Sequence, residues 1–162
     1  VPKENRIGED GFGFAFAMAV LNGGRIGIAS QALGIASGAY ELSLKYAKER
    51  KSFGTEIINH QAIAFKLADM HVSIMAARML VYKAAAEKDE GKDISESGAM
   101  AKLYALLVAM DTTIEAVQIH GGYGYVKEYH VERMMRDAKI TQIYEGTSEI
   151  QKIVISRAIS KK

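Results

Sequence analysis

Residues able to do chemistry fall into four short clusters of this 162-residue chain. They are Asn22-Gly23-Gly24-Arg25, Arg50-Lys51-Ser52-Phe53-Gly54, Gln118-Ile119-His120-Gly121-Gly122-Tyr123-Gly124-Tyr125 and Ile143-Tyr144-Glu145-Gly146-Thr147-Ser148-Glu149-Ile150-Gln151. Between them they hold two carboxylates one helical turn apart, two guanidinium groups and several glycines. Some familiar chemistries are excluded at once. His60, His71, His120 and His130 have neither H-E-x-x-H nor comparable spacing, so no metal site is expected. There is no G-x-S-x-G elbow and no P-loop. Gly121-Gly122-Tyr123-Gly124 follows a helical run and not a strand, which removes the dinucleotide-fold reading. Taken singly, the remaining features have architectural explanations. Arg50 at a helix C-terminus complements the macrodipole, as Glu145 and Glu149 do near a helix start, and the glycines cap a helix.

The elements that must position these clusters are helical. Alanine, leucine, lysine and glutamate abound, and the only proline is Pro2. Three apolar stripes step by three and four residues: Ile28, Ala32, Ile35, Ala39, Leu42 and Tyr46; then Ile63, Leu67, Met70, Ile74, Ala77, Val81 and Ala84; then Met100, Leu103, Leu107, Met110, Ile114 and Val117. The pattern predicts long helices over Gly24–Arg50, Gln61–Glu90 and Ser95–His120, a short one over Val131–Ile140 and a last over Ser148–Ser160. Phe12, Ala15, Phe16 and Ala19 extend the first pattern back toward Gly11. Asn59 is the expected N-cap of the second helix, Asp93 with Glu96 a capping box for the third, and Gly121-Gly122 its C-terminal stop. Short connections make neighbours antiparallel, so the expected fold is an all-α, up-down-up-down four-helix bundle with the final helix as fourth member. Gly23/Gly27 and Gly34/Gly38 put small residues on helix one, where each costs about 1 kcal/mol relative to Ala. Something is therefore expected to approach that backbone closely.

Composition narrows the function classes. The formal net charge is +2 with cations and anions interspersed, which gives nucleic-acid binding little support. No apolar run approaches membrane-span length. With no cysteine there is no disulfide scaffold or thiolate site. Val1 opens neither a signal segment nor an initiator methionine, so the chain reads as part of a longer protein.

In combination, order and spacing, the four clusters resemble the acyl-CoA dehydrogenase family over nearly the whole chain. Arg136-Asp137-Ala138-Lys139-Ile140 leading into Ile143 to Gln151 is close to a family signature, and Gly24 to Ala36 is nearest the short-chain, butyryl-type members. The resemblance implies the C-terminal helical domain (residues 1–162) of a longer FAD enzyme. An N-terminal helical domain and a middle β-domain lie outside the chain, and the fragment alone is expected to be inactive. Such enzymes remove the α-proton of an acyl-CoA thioester while the β-hydrogen leaves as hydride to the flavin, giving a trans-2-enoyl-CoA. Glu145 matches the base. Its backbone N–H matches one donor to the thioester carbonyl, the other coming from the flavin ribityl chain. By the same resemblance Arg50 meets the flavin pyrophosphate, Phe53 packs on the adenine side, and Gln61 hydrogen-bonds the cofactor. Gln118, Gly121 and Gly122 line the ADP moiety, in the flavin site of a partner subunit. Thr147 and Glu149 lie near the flavin beside the base, while Asn22, Arg25 and Gly146 belong to the acyl-CoA site. Many relatives carry Gln at the position of Glu149, where short-chain members also use Glu, and many carry Asp at that of Asn22, where a changed polar contact to substrate is expected. The implied partners are acyl-CoA, further copies in a homodimer or homotetramer, and an electron-transfer flavoprotein as acceptor. The implied compartment is the cytoplasm of a bacterium or the mitochondrial matrix of a eukaryote. An acyl-CoA oxidase shares base and fold, and a silent oligomerisation module shares the fold. The retained carboxylate at Glu145 speaks against a silent module, and also against relatives that use Asp.

Overall fold

The computed structural model describes Val1–Lys162. Five helices dominate: α1 (Gly13–Glu49), α2 (Gln61–Asp89), α3 (Ser95–His120), α4 (Val131–Thr141) and α5 (Ser148–Ile159). The long helix α1 spans about 55 Å at 1.5 Å per residue. α3 is the centre of the bundle, packing against α1, α2, α4 and α5, while α4 also reaches α1. The final helix thus joins the bundle on α3, as expected. No helix is long and apolar enough to cross a membrane.

The α1–α3 seam is built from alanine. Ala29, Ala32, Ala36 and Ala39 of α1, and Ala101, Ala105, Ala109 and Ala116 of α3, are completely buried. Small side chains let a central helix lie close to several neighbours at once, because interaxial distance is set by the side chains at the contact. This corrects two of the three stripes. On α2 the expected positions are the core, with Leu67, Met70, Ile74, Ala77, Val81 and Ala84 all buried. On α3 the large apolar stripe faces outward, leaving Leu107 44% and Ile114 46% exposed. On α1 only Ala32 and Ala39 of the six expected residues are buried, and the core face continues through Ala29, Ala36, Ser43 and Ala47.

The breaks differ in detail. α1 starts at Gly13, matching the apolar extension, yet Phe12, Phe14, Phe16 and Val20 are exposed along its first turns. Between α1 and α2 the chain makes a two-residue antiparallel ladder, Lys51–Ser52 with Thr55–Glu56. Its loop, Phe53-Gly54, has φ of 49° and 83°, the positive pair that a tight hairpin turn requires. Asn59 does not cap α2. It lies in a 3₁₀ turn and donates instead to Thr55 Oγ1 at 2.9 Å, and His60 precedes the helix without a side-chain cap. At α3 the expected capping box is not made, and the N-cap is Ile94, without a side-chain cap. Asp93 Oδ1 accepts from the Ser95 N–H at 2.9 Å, whereas Glu96 pairs with Lys162 at 3.0 Å. Gly121 ends α3 with φ +60°, as expected, and Gly122 continues into a 3₁₀ turn ending at Tyr125.

Candidate active site

Two groups of the expected residues assemble, one about a third of the way along α1 and the other at its C-terminal end. The first forms where the loop between α4 and α5 crosses the Asn22–Arg25 stretch. Glu145 lies on that loop in the left-handed region at φ +55°, followed by Gly146 at +89°. A left-handed conformation costs a non-glycine residue roughly 1–2 kcal/mol, so the surrounding contacts must hold it. The carboxylate rests over the backbone of α1, and a Cβ built on Gly24 would sit 2.6 Å from Glu145 Oε2. The close approach thus falls at Gly24, not at the expected pairs: a Cβ on Gly23 or Gly38 would meet only Lys88 Nζ or the Met134 methyl at 3.4 Å, and Gly27 and Gly34 face open space. Beside it, Arg25 is buried and its Nη1 donates to Asn22 Oδ1 at 2.7 Å. Asn22 Nδ2 donates in turn to Ser95 Oγ at 3.3 Å. Burial lowers the Arg25 pKa from its ordinary value, against the opposing pull of the Glu145 charge.

Beneath the loop lies Lys102, 0% exposed. Its Nζ donates to the carbonyl of Tyr144 at 2.6 Å and to that of Gly146. Gln151, equally buried, donates its Nε2 to the Gly146 carbonyl at 2.8 Å. Burial brings the Lys102 ammonium down to about 8, with Glu145 opposing and Arg25 adding to the shift. The Tyr144 hydroxyl donates to Gln31 Oε1 at 2.6 Å, tying the loop to α1. Thr147 immediately precedes α5, and Glu149 is exposed in its first turn. The Glu149 carboxyl is held below the usual range by its own backbone N–H and by the Thr147 hydroxyl.

The second group is at the C-terminal end of α1, about 40 Å from Gly24 along the helix. A cavity of about 660 Å³ is lined by Tyr46, Arg50, His60, His120, Gly121, Gly122 and Tyr123, among others. Arg50 lies 5.7 Å from the centre of the Tyr123 ring and pairs with no carboxylate. His120 stacks on Tyr46 with ring centres 4.3 Å apart and its Nδ1 lies 2.7 Å from the Ala116 carbonyl. Burial lowers its pKa. Open space lies where Gly121 and Gly122 would carry a Cβ. Phe53, Gln61 and Gln118 do not line this cavity. All three are exposed, Phe53 at 99%. A free guanidinium, flat aromatic walls and bare backbone suit a ligand with phosphate and a planar ring.

Sequence reasoning missed Lys102, Gln151 and the aromatic walls of the cavity. Lys102 did carry a signal: it lies three and four residues from Ala99, Ala105 and Leu106, all buried, a lone cation amid small residues on one helical face.

The model of the acyl-CoA dehydrogenase C-terminal domain matches residues 11–160. The chain belongs to the acyl-CoA dehydrogenase family. It is 60% identical over 159 residues to the short-chain specific acyl-CoA dehydrogenase of Clostridium acetobutylicum, covering 98% of this chain and 42% of that protein. It is 53% identical over 162 residues to the caffeyl-CoA reductase-Etf complex subunit CarC of Acetobacterium woodii, covering 100% of this chain and 43% of that one. The structure of butyryl-CoA dehydrogenase from Megasphaera elsdenii superposes with a TM-score of 0.97 at 57% identity, covering 99% of this chain and 42% of that one. The chain thus spans about two fifths of the length of these family members.

Proposed function

We propose that this chain is the C-terminal domain of a longer FAD-dependent acyl-CoA dehydrogenase acting on short acyl chains, with Glu145 as its base. The observation that carries the reading is the Glu145 carboxylate held against Gly24 by a loop locked to the core. Glu145 takes the α-proton as the α-C–H bond breaks, and that electron pair forms the Cα=Cβ double bond while the β-hydrogen departs with its own pair. Flavin, when bound, supplies the hydride acceptor. Charge that builds on the thioester oxygen meets the Glu145 backbone N–H, which makes no hydrogen bond inside the chain. Asn22, Arg25 and Gly146 surround that position and bind the thioester end of the substrate. Thr147 and Glu149 face the flavin beside the base.

Arg50, Gly121 and Gly122, with Phe53, Gln61 and Gln118 on the surface around them, hold the ADP half of a flavin. One continuous α1 keeps them about 40 Å from Glu145, so the flavin they hold serves the base of another copy in a homodimer or homotetramer. The missing length of chain, matching the other three fifths of the relatives, supplies the remaining walls of the site, and the fragment alone does not turn over. The acceptor proposed for the reduced flavin is an electron-transfer flavoprotein.

A second reading, reduction of a 2-enoyl-CoA, is favoured by two relatives, the caffeyl-CoA reductase complex subunit and the acryloyl-CoA reductase (NADH) of Anaerotignum propionicum. It uses the same residues in reverse, with Glu145 returning the proton.

The test is Glu145→Gln in the full-length protein, read by stopped-flow bleaching of oxidised flavin with butyryl-CoA. The amide keeps size and polarity but cannot accept the proton. Flavin and acyl-CoA binding should stay near wild type while reduction falls by at least about 10²–10⁴-fold. Glu149→Gln should change flavin affinity and retain turnover. Near wild-type reduction by Glu145→Gln with a dead Glu149→Gln would move the base to the other carboxylate.

A further inference from the structure

The loop that carries Glu145 is held from below by a charge that proton abstraction does not use. Lys102 is completely buried, and its Nζ grips the carbonyls on both sides of Glu145, those of Tyr144 and Gly146. A planar trans peptide points its C=O and N–H in opposite directions. Drawing the Tyr144 carbonyl inward onto Lys102 therefore turns the Glu145 N–H away from α3, on the outer side of the loop. That N–H donates to nothing within the chain. A charged donor on the carbonyl also polarises the peptide, and linked hydrogen bonds of this kind strengthen one another by roughly 10–30%. Gln151 holds the far side of the loop: its Nε2 donates to the Gly146 carbonyl at 2.8 Å, which it shares with Lys102, and to the Glu145 carbonyl at 3.5 Å, but not to that of Tyr144. It can stiffen the loop without turning the Tyr144–Glu145 peptide.

We propose that Lys102 is a positioning residue that aims and polarises the Glu145 backbone N–H toward the thioester oxygen. The proposal rests on the reading of Glu145 as the base at an acyl-CoA site. Lys102 touches neither substrate nor flavin in this role. It acts through one peptide group, and its effect appears on the carbonyl of a bound thioester.

The experiment uses the full-length flavoprotein and crotonyl-CoA labelled with ¹³C at the thioester carbonyl, followed by infrared difference spectroscopy. Bound to wild type, the labelled carbonyl stretch should move to lower frequency than in water. Glu145→Gln keeps the same backbone N–H and should keep that shift. Lys102→Met fills the same volume without a donor and should lose more than half of it. Its kcat should fall by about 10²–10³-fold, as when an oxyanion donor is removed, with KM little changed. Gln151→Met, which loosens the loop without freeing the Tyr144 carbonyl, should keep the wild-type shift. Should Lys102→Met fail to accumulate as a folded flavoprotein, Lys102→Gln retains a neutral donor and should give an intermediate shift.

A full shift in Lys102→Met, or in Lys102→Gln where that variant is the one measured, overturns the proposal. So does a loss of equal size in Gln151→Met, which would make the effect one of general loosening, and so does an absent shift in wild type. Fast reduction by Glu145→Gln would instead remove the base assignment, while the Lys102 dependence of the carbonyl frequency would still be readable on its own.

Discussion

A methyl group at position 24 would meet Glu145 Oε2 at 2.6 Å, so Gly24→Ala tests the site with one carbon atom. The obstacle is the far end of a flexible side chain, which can swing away without disturbing α1. Alanine also favours a helix interior by about 1 kcal/mol over glycine. The expected result is a variant that melts no lower than wild type, with flavin content intact and kcat down by about 10²-fold, the usual cost of misplacing a reacting group by an ångström. Melting curves and steady-state kinetics on the same sample check it. Lys102 makes a pH prediction. Its folded pKa of about 8 lies below the ordinary 10.5, so between these values the unfolded chain binds the extra proton. Stability from this group therefore rises as pH climbs from about 8 to 10.5, and the burial penalty is fully present below 8. The Tm difference between wild type and Lys102→Met should shift in favour of wild type across that window. A difference that is flat, or that moves the other way, contradicts the assignment. Glu145, and likewise Asn22 and Arg25, drew attention because each lies in a short contiguous cluster, 143–151 and 22–25, that resembles a family motif. The place of Lys102 on the buried face of α3 left a signal, but its role did not, because its partners are carbonyl groups more than forty residues away and a carbonyl leaves no trace in the sequence.

α3 shows where periodicity misleads. Met100, Leu103, Leu107, Met110, Ile114 and Val117 form the more hydrophobic stripe, and burial by size puts that stripe inside. The chain instead turns Ala101, Ala105, Ala109, Thr113 and Ala116 inward. A helix surrounded by four others gains more from close approach of its neighbours than from the bulk of its own side chains, so small residues fill most of its inward positions, with Lys102 and Leu106 the large side chains buried among them. α2 meets fewer neighbours and follows the simple rule, which is why its stripe was legible at every position but Ile63, which is half-buried. Ala105→Leu separates the two faces. Adding three carbons at a completely buried position overfills the seam between α1 and α3, at a cost of about 1–3 kcal/mol. Denaturant unfolding of the full-length protein should show this as a lower midpoint. An unchanged midpoint would mean that the seam is looser than its alanines indicate.

The distance between Glu145 and Arg50 turns a property of one helix into a property of the assembly. Both lie against α1, which is unbroken from Gly13 to Glu49, so no local rearrangement brings them to one ligand. If the flavin held by Arg50 is the one served by the base of another copy, two inactive variants should complement each other. Glu145→Gln keeps the ADP-binding end, and Arg50→Ala keeps the base. In a mixed dimer one of the two sites then has both residues intact, and the other has neither. Random mixing of equal amounts makes half the dimers hybrid, so reassembly should restore about a quarter of wild-type activity, as two-fold symmetry dictates. Each variant alone should stay low, Glu145→Gln for want of the base and Arg50→Ala for weakened flavin retention, since a lost charge-assisted phosphate contact is among the costlier ones. The assay is unfolding and refolding of the two variants together and apart with added FAD, followed by butyryl-CoA-dependent flavin bleaching. Recovery only in the mixed sample supports sites shared between copies, and Phe53, exposed beside Arg50, then has its cover in the partner. No recovery, from variants that separately refold and assemble, places both residues on the same flavin and contradicts the 40 Å separation that the helix imposes.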